Sequence, residues 1–316
     1  MEQEETRVEP VEITTFVADD AELIDPNWNG GNQPVVPRRP RKWLPLFLFV
    51  ATCFSTCFAY TVFIGGIPAS GPTLSTLLPG LKYSAAVLSI LMAHEMGHYL
   101  AARFHRVPAS LPYFIPMPIS PLGTMGAVIV QGRGVADRRQ MFDIAVAGPL
   151  AGLVLALPVL WLGVERATIQ ASPRAGEIVF GMPLLVKFMF EHARPELMEA
   201  GKAIADNPLL MAGWVGIFVT ALNLIPIGQL DGGHILYCMI GRRAHRVAMG
   251  LLLFAVGWMV YTSSPNYILL IVLLFVFGPK HPPTANDAVP LGPLRVALGW
   301  LTLAFIVIGF TPNPIS

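Results

Sequence analysis

Three ionisable side chains crowd into five positions of an apolar stretch. They are His94, Glu95 and His98, within LMAHEMGHYLAARF from Leu91 to Phe104. Each is costly to bury in hydrocarbon unless something compensates it, and a divalent cation would. Residues four apart on an α-helix share a face, offset by about 40° and about 6 Å along the axis. Two imidazoles so placed can grip one zinc ion. Glu95, next to the first of them, can take a proton from a water that the zinc activates. The H-E-x-x-H pattern is short and occurs by chance, but the apolar setting weakens the bland reading of a buried ionisable cluster. Two histidines do not complete a zinc site, so a third ligand must come from elsewhere in the chain.

Asp231, in NLIPIGQLDGGHI at 223–235, is the only acidic residue from Pro208 to Lys280. Gly232 and Gly233 after it let the backbone approach closely. An Asp added to two His would leave one coordination position open, as a catalytic zinc requires. Taken alone, the stretch reads as a helix cap followed by a turn. Beside HEMGH, the ligand reading is the better one.

The elements that must position these residues are membrane spans. Of 316 residues, 54% are hydrophobic and only 13% charged, against about 25% charged in ordinary globular proteins. Mean hydropathy is +0.59. The formal net charge of +1 gives no support to nucleic-acid binding. Cys53, Cys57 and Cys238 form no CxxC and no paired framework, so they read as small buried residues. Residues 1–42 form an acidic leader, expected to be disordered and cytoplasmic. Arg38, Arg39, Arg41 and Lys42 close it, and a basic flank before the first span keeps the N-terminus inside. Spans are expected at 43–64, 83–104, 141–162 and 208–225, with a Gly/Pro loop over 65–82. Two shorter runs, 247–261 and 267–277, follow the basic loop GRRAHR, and a last span covers 294–310. The fold class is therefore an all-α polytopic membrane protein with about six to seven transmembrane helices. Between the second and third spans, five prolines at 108, 112, 116, 118 and 121 forbid a regular helix. The β-branched stretch 126–131 then suggests a small membrane-associated β-hairpin or loop. A short helix over 183–193 should rest on the outer surface. The second and fourth spans both run from outside to inside. His98 and Asp231 thus reach a similar depth near the cytoplasmic face.

With HEMGH at 94–98, GTMGAVI at 123–129, FDIAVAGPLAG at 142–152 and NLIPIGQLDGGHI at 223–235 in order, the chain resembles the site-2 protease family of intramembrane zinc metalloproteases. The resemblance covers most of residues 83–240. It implies one Zn2+ per chain on His94, His98 and Asp231, Glu95 as catalytic base, and Asn223 as a residue that orients or stabilises the reacting group. It also implies peptide hydrolysis in or near the transmembrane segments of single-span membrane-protein substrates, within membrane lipid. The external loop is too short for the PDZ domain of many bacterial members, and no CBS pair is expected. The nearest likeness is to a compact bacterial branch similar to the plastid EGY-type proteases, in the inner membrane. The domain plan is a leader over 1–42, a transmembrane protease domain over 43–278 with its core at 83–240, and a linker plus C-terminal helix over 279–316. The small residues of AGPLAG are read as helix packing. His105, His245 and His281 are expected to be solvated, His192 lies in the external loop, and a surface place is expected for His234.

Two rivals stand beside this reading. One is an ion or metal transporter using the His/Glu/Asp cluster as a relay, although no inverted repeat is visible. The other is a catalytically inactive relative. The extended segment near 127–130 either accepts an unwound substrate as an added strand or merely plugs the core.

Overall fold

The computed structural model describes residues 43–65, 71, 73–132, 134–170, 180–198, 203–205, 207–262 and 280–311. The leader and the run at 267–277 lie outside them. Among the described residues the protein is mostly helical. Helix α1 (Trp43–Ala59) runs on into a π-helical turn, Tyr60–Gly65, and α2 is Leu74–Phe104. A hairpin follows, β1 (Tyr113–Met117) and β2 (Gly123–Val128), and then α3 (Arg138–Glu165). Next come β3 (Ile169–Gln170), α4 (Leu184–Ala193), β4 (Ala203–Ile204) and α5 (Pro208–Asn223). The chain ends with α6 (Asp231–Ile240), α7 (Ala244–Thr262) and α8 (Pro293–Gly309). By length and composition, four described stretches could cross a membrane: 43–65, 74–104, 138–165 and Asp231–Tyr261. Helices α5 and α8 are apolar but shorter.

The helix ends follow from local chemistry. Asp137 caps α3, its carboxylate accepting from Arg139 N at 2.8 Å and Gln140 N at 2.9 Å. Gln140 Oε1 returns the bond by accepting from Asp137 N, a reciprocal capping box. Asn207 caps α5 through Leu209 N, with Pro208 in the first turn, where its missing N–H costs nothing. Helix α2 ends at Phe104, and Arg106, at φ 58°, turns the chain two residues before Pro108.

Helix α2 packs chiefly on α3, and α3 on α5. Small residues bring the backbones together. A Cβ on Gly97 would meet Ala147 O at 2.4 Å, and one on Gly213 would meet Leu160 Cα at 2.5 Å. The main core gathers Tyr83, Val87, Ile90, Leu160, Val215 and Ile217, among others. Helix α4 lies where the outer helix was expected, and it seats Phe190 in that same core.

The hairpin pairs Tyr113 with Val128 and Met117 with Gly123, with an irregularity between Phe114 and Pro116. Pro116 has no N–H to give to the ladder, so a break there is expected. The hairpin is fastened to α1 and α2. Ser55 Oγ donates to Gly123 O at 2.6 Å and Tyr83 OH to Leu122 O at 2.8 Å.

Two expectations need correction. The loop assigned to 65–82 is helical from Leu74 onward. Its Gly80 serves packing, since a Cβ there would lie 2.8 Å from Cys57 O of α1. GRRAHR is no extended loop: Gly241–Arg243 forms a 3-10 turn and Ala244 already opens α7. As expected, the chain breaks between the Asp231 motif and the next apolar run. Gly241 sits at φ 62°, and Ile227 and Leu230, just before α6, pack with Ala248 and Leu252 of α7. Those contacts bring α7 against the turn that precedes α6.

Candidate metal centre

His94 and His98 lie one turn apart on the buried side of α2, at 4% and 6% exposure. Asp231 was expected at the end of the fourth span. The structure puts it on a separate helix, because α5 stops at Asn223 and residues 224–230 turn before α6 begins. Asp231 is the first residue of α6, and the N-cap, Leu230, makes no side-chain cap bond. Its carboxylate turns to the histidines instead. Oδ2 is 3.1 Å from His94 Nε2, and Oδ1 is 3.3 Å from His98 Nε2. The two Nε2 atoms are 3.2 Å apart. One donor atom from each of the three residues lies within 4.8 Å of the others.

The imidazoles are aimed by their surroundings. His98 Nδ1 donates to Ile144 O of α3 at 2.8 Å. That bond fixes the tautomer and leaves the Nε2 lone pair facing the cluster. The rings lie against glycines of α3 in the AGPLAG stretch. A Cβ on Gly148 would come 2.1 Å from His98 Nε2, and one on Gly152 would come 3.2 Å from His94 Nδ1. The sequence identified these glycines as packing residues but gave no sign of what they pack against. Asn223, at the end of α5, brings Nδ2 to 3.4 Å from His94 Nε2. Glu95 is 5% exposed, and its carboxyl lies against the backbone N–H of Ile129, just past β2.

Two nitrogens and a carboxylate that converge from two helices suit a divalent metal with one position left open. The donor set and the hydrogen bond behind His98 both fit zinc.

Several histidines depart from expectation. His105 Nε2 meets Asp143 Oδ2 at 3.1 Å. His281 is 5% exposed, and its Nε2 meets His234 Nδ1 at 2.5 Å. The ring of His281 also stacks on Tyr237, 4.2 Å between centroids. Burial, and then the neighbouring His234, push His281 down to about 3. His245 Nε2 reaches His281 O at 3.2 Å. These contacts join segments distant in sequence, which is why spacing gave no hint of them.

Fold and site together describe a mostly helical protein with stretches long and apolar enough to cross a membrane and a His/His/Asp cluster able to hold a metal. The profile of Peptidase family M50 matches residues 82–261, more than half of the chain, and the chain belongs to that family. It is similar to "Probable zinc metalloprotease EGY1, chloroplastic" of Arabidopsis thaliana, 31% identical over 76% of this chain and 45% of that protein. It is also similar to the EGY2 protein of the same plant, 27% identical over 89% of this chain and 52% of the relative. The EGY1 protein of Oryza sativa subsp. japonica is 31% identical over 76% of this chain and 43% of the relative. The chain thus spans about half the length of the curated relatives it matches.

Proposed function

We propose that this chain is an intramembrane zinc metalloprotease that hydrolyses peptide bonds in or near the membrane segments of membrane-protein substrates. The observation that carries the reading is the convergence of His94, His98 and Asp231 beside the buried Glu95, inside the region matched by Peptidase family M50.

His94, His98 and Asp231 would hold one zinc, which when bound supplies positive charge and Lewis acidity. Glu95 follows His94 on the helix and so points about 100° away from it. That direction keeps it off the ligand face yet beside the site. It takes the proton from the attacking water and passes it to the leaving amide nitrogen. Asn223 offers an N–H to the substrate oxygen that gathers negative charge. A substrate helix satisfies its own amides, so it must unwind before attack. The β1–β2 hairpin, fastened beside Glu95, offers strand edges to the unwound segment.

The finer plan belongs to the same proposal. Residues 43–278 form the protease unit with its core at 83–240, and 279–316 add a linker and a helix. Six to seven crossings fit the described helices together with the run at 267–277. The N-terminus is cytoplasmic, the membrane a bacterial inner membrane, and the substrates single-span proteins. Comparing the membrane proteins that accumulate in cells carrying wild type or Glu95→Gln would identify those substrates.

Glu95→Gln in purified protein tests the chemistry. It keeps the shape and loses the basic oxygen. Cleavage should fall by roughly 10²-fold or more, with zinc content unchanged. Loss of zinc together with activity would make Glu95 a ligand or a prop. Unchanged cleavage would remove the mechanism. Zinc flux in proteoliposomes without any peptide cleavage would return the transporter.

A further inference from the structure

Two apolar helices each carry a charge close to the N-terminal end, and the two charges meet. Asp143 is the only charged residue of α3 between Arg139 and Glu165, and Arg295 is the only one in α8. Arg295 grips Asp143 with two prongs, Nε to Oδ1 at 2.7 Å and Nη2 to Oδ2 at 3.0 Å. Such paired contacts fix orientation as well as adding energy. His105, the C-cap of α2, places Nε2 3.1 Å from the same Oδ2. One carboxylate therefore ties α3 to the end of α2 and the start of α8. The next residue is Ile144, whose carbonyl accepts from His98 Nδ1. Helix α8 also lies against α6, which carries Asp231, and against α3, which seats the rings. A Cβ on its Gly299 would meet Met239 Sδ of α6 at 2.4 Å and Phe142 of α3 at 2.9 Å.

We propose that Asp143, gripped by Arg295, is a positioning residue that sets His98 through the Ile144 carbonyl, so that the C-terminal helix belongs to the metal centre's supporting frame. The proposal rests on His98 being a metal ligand, but not on the reaction being proteolysis. Partners behind a ligating imidazole fix its tautomer and direction, and losing one typically costs roughly 10–100-fold in metal affinity or activity.

The test uses the full chain in detergent, with Zn2+ affinity from chelator competition, the Co2+ absorption spectrum and thermal melting. Asp143→Asn should weaken Zn2+ binding by roughly 10-fold or more and shift the Co2+ bands, while the melting temperature stays near wild type. Arg295→Gln should act in the same direction, and Arg295→Lys should recover part of the loss. The exchange Asp143→Arg with Arg295→Asp should recover more affinity than either single change leaves. Unchanged affinity and spectrum in both Asp143→Asn and Arg295→Gln would overturn the proposal. So would losses that merely track melting temperature across the whole set, Arg295→Lys included. A wild type that binds neither Zn2+ nor Co2+ would remove the ligand reading itself, and this proposal with it, before any variant is made.

Discussion

A single methyl group separates Gly148 from a collision with the His98 ring. The added carbon would lie 2.1–2.4 Å from three atoms of the His98 ring, and His98 is buried with no room to swing aside. Gly148→Ala should therefore displace His98, cutting zinc affinity by roughly 10–100-fold and activity with it. Gly152→Ala meets His94 at 3.2 Å and should cost clearly less. Gly250→Ala meets nothing within 4 Å and should leave both unchanged. Metal titration of the three variants checks the order, and equal affinities would show that α3 does not seat the rings. His94, Glu95 and His98 were legible in the sequence because a helix turns neighbours in the chain into neighbours in space. Asp231 was legible from depth, although its place on a new helix was not. Asn223 came from family resemblance alone, since a lone Asn near a Pro gives no signal of its own. The glycines were read correctly as packing, but their partners depend on which helices meet.

Residues 280–292, just before α8, behave as a strap. Ala285 N donates to Ala136 O at 2.9 Å, and Tyr237 OH to Asp287 Oδ2 at 2.8 Å. Arg138 reaches from α3 to Cys238 O and Met239 O at the end of α6. His281 sits in this strap with its proton affinity pushed down to about 3 by burial and by His234. Below about 6.5, the ordinary His value, the unfolded chain binds a proton there that the folded chain refuses. Stability from this group is complete above that value and declines as pH falls toward about 3. Asp287 adds to the loss at lower pH. Burial would raise its carboxyl, but the hydroxyls of Thr284 and Tyr237 outweigh that and hold it below its ordinary value. The melting temperature of wild type should drop from pH 7 to pH 5, and that of His281→Gln should drop less. Parallel curves would show that His281 is not the group responsible. The strap escaped the sequence because His and Asp in a proline-rich linker look solvated until their partners are known. The early start of α2 escaped for a related reason: Pro79 and Gly80 resemble loop residues until α1 is seen lying against Gly80.

The proposed orientation can be tested on two exposed residues. Arg242 lies in the turn between α6 and α7, and Glu191 on α4 between α3 and α5. With a cytoplasmic N-terminus, Arg242→Cys should react with an impermeant thiol reagent only from inside, and Glu191→Cys only from outside. The hydrogen bonds from the strap to Ala136 and the Arg139–Pro290 contact put the strap on the same side as the start of α3. Labelling of position 242 from outside would invert the whole arrangement. The length of α2 carries a further consequence. Its 31 residues extend for about 46 Å at 1.5 Å per residue, more than the roughly 30 Å of hydrocarbon. His94 lies ten residues short of the helix end at Phe104, about 15 Å back along the axis. If that end marks the inner interface, the proposed centre sits near the middle of the bilayer, deeper than the place near the cytoplasmic face expected from the sequence. A substrate span of about 20 residues would then be cut into two stubs of about ten, each too short to hold in the bilayer. One hydrolysis would turn an anchored protein into two detachable halves, and no later event could stitch the anchor together again.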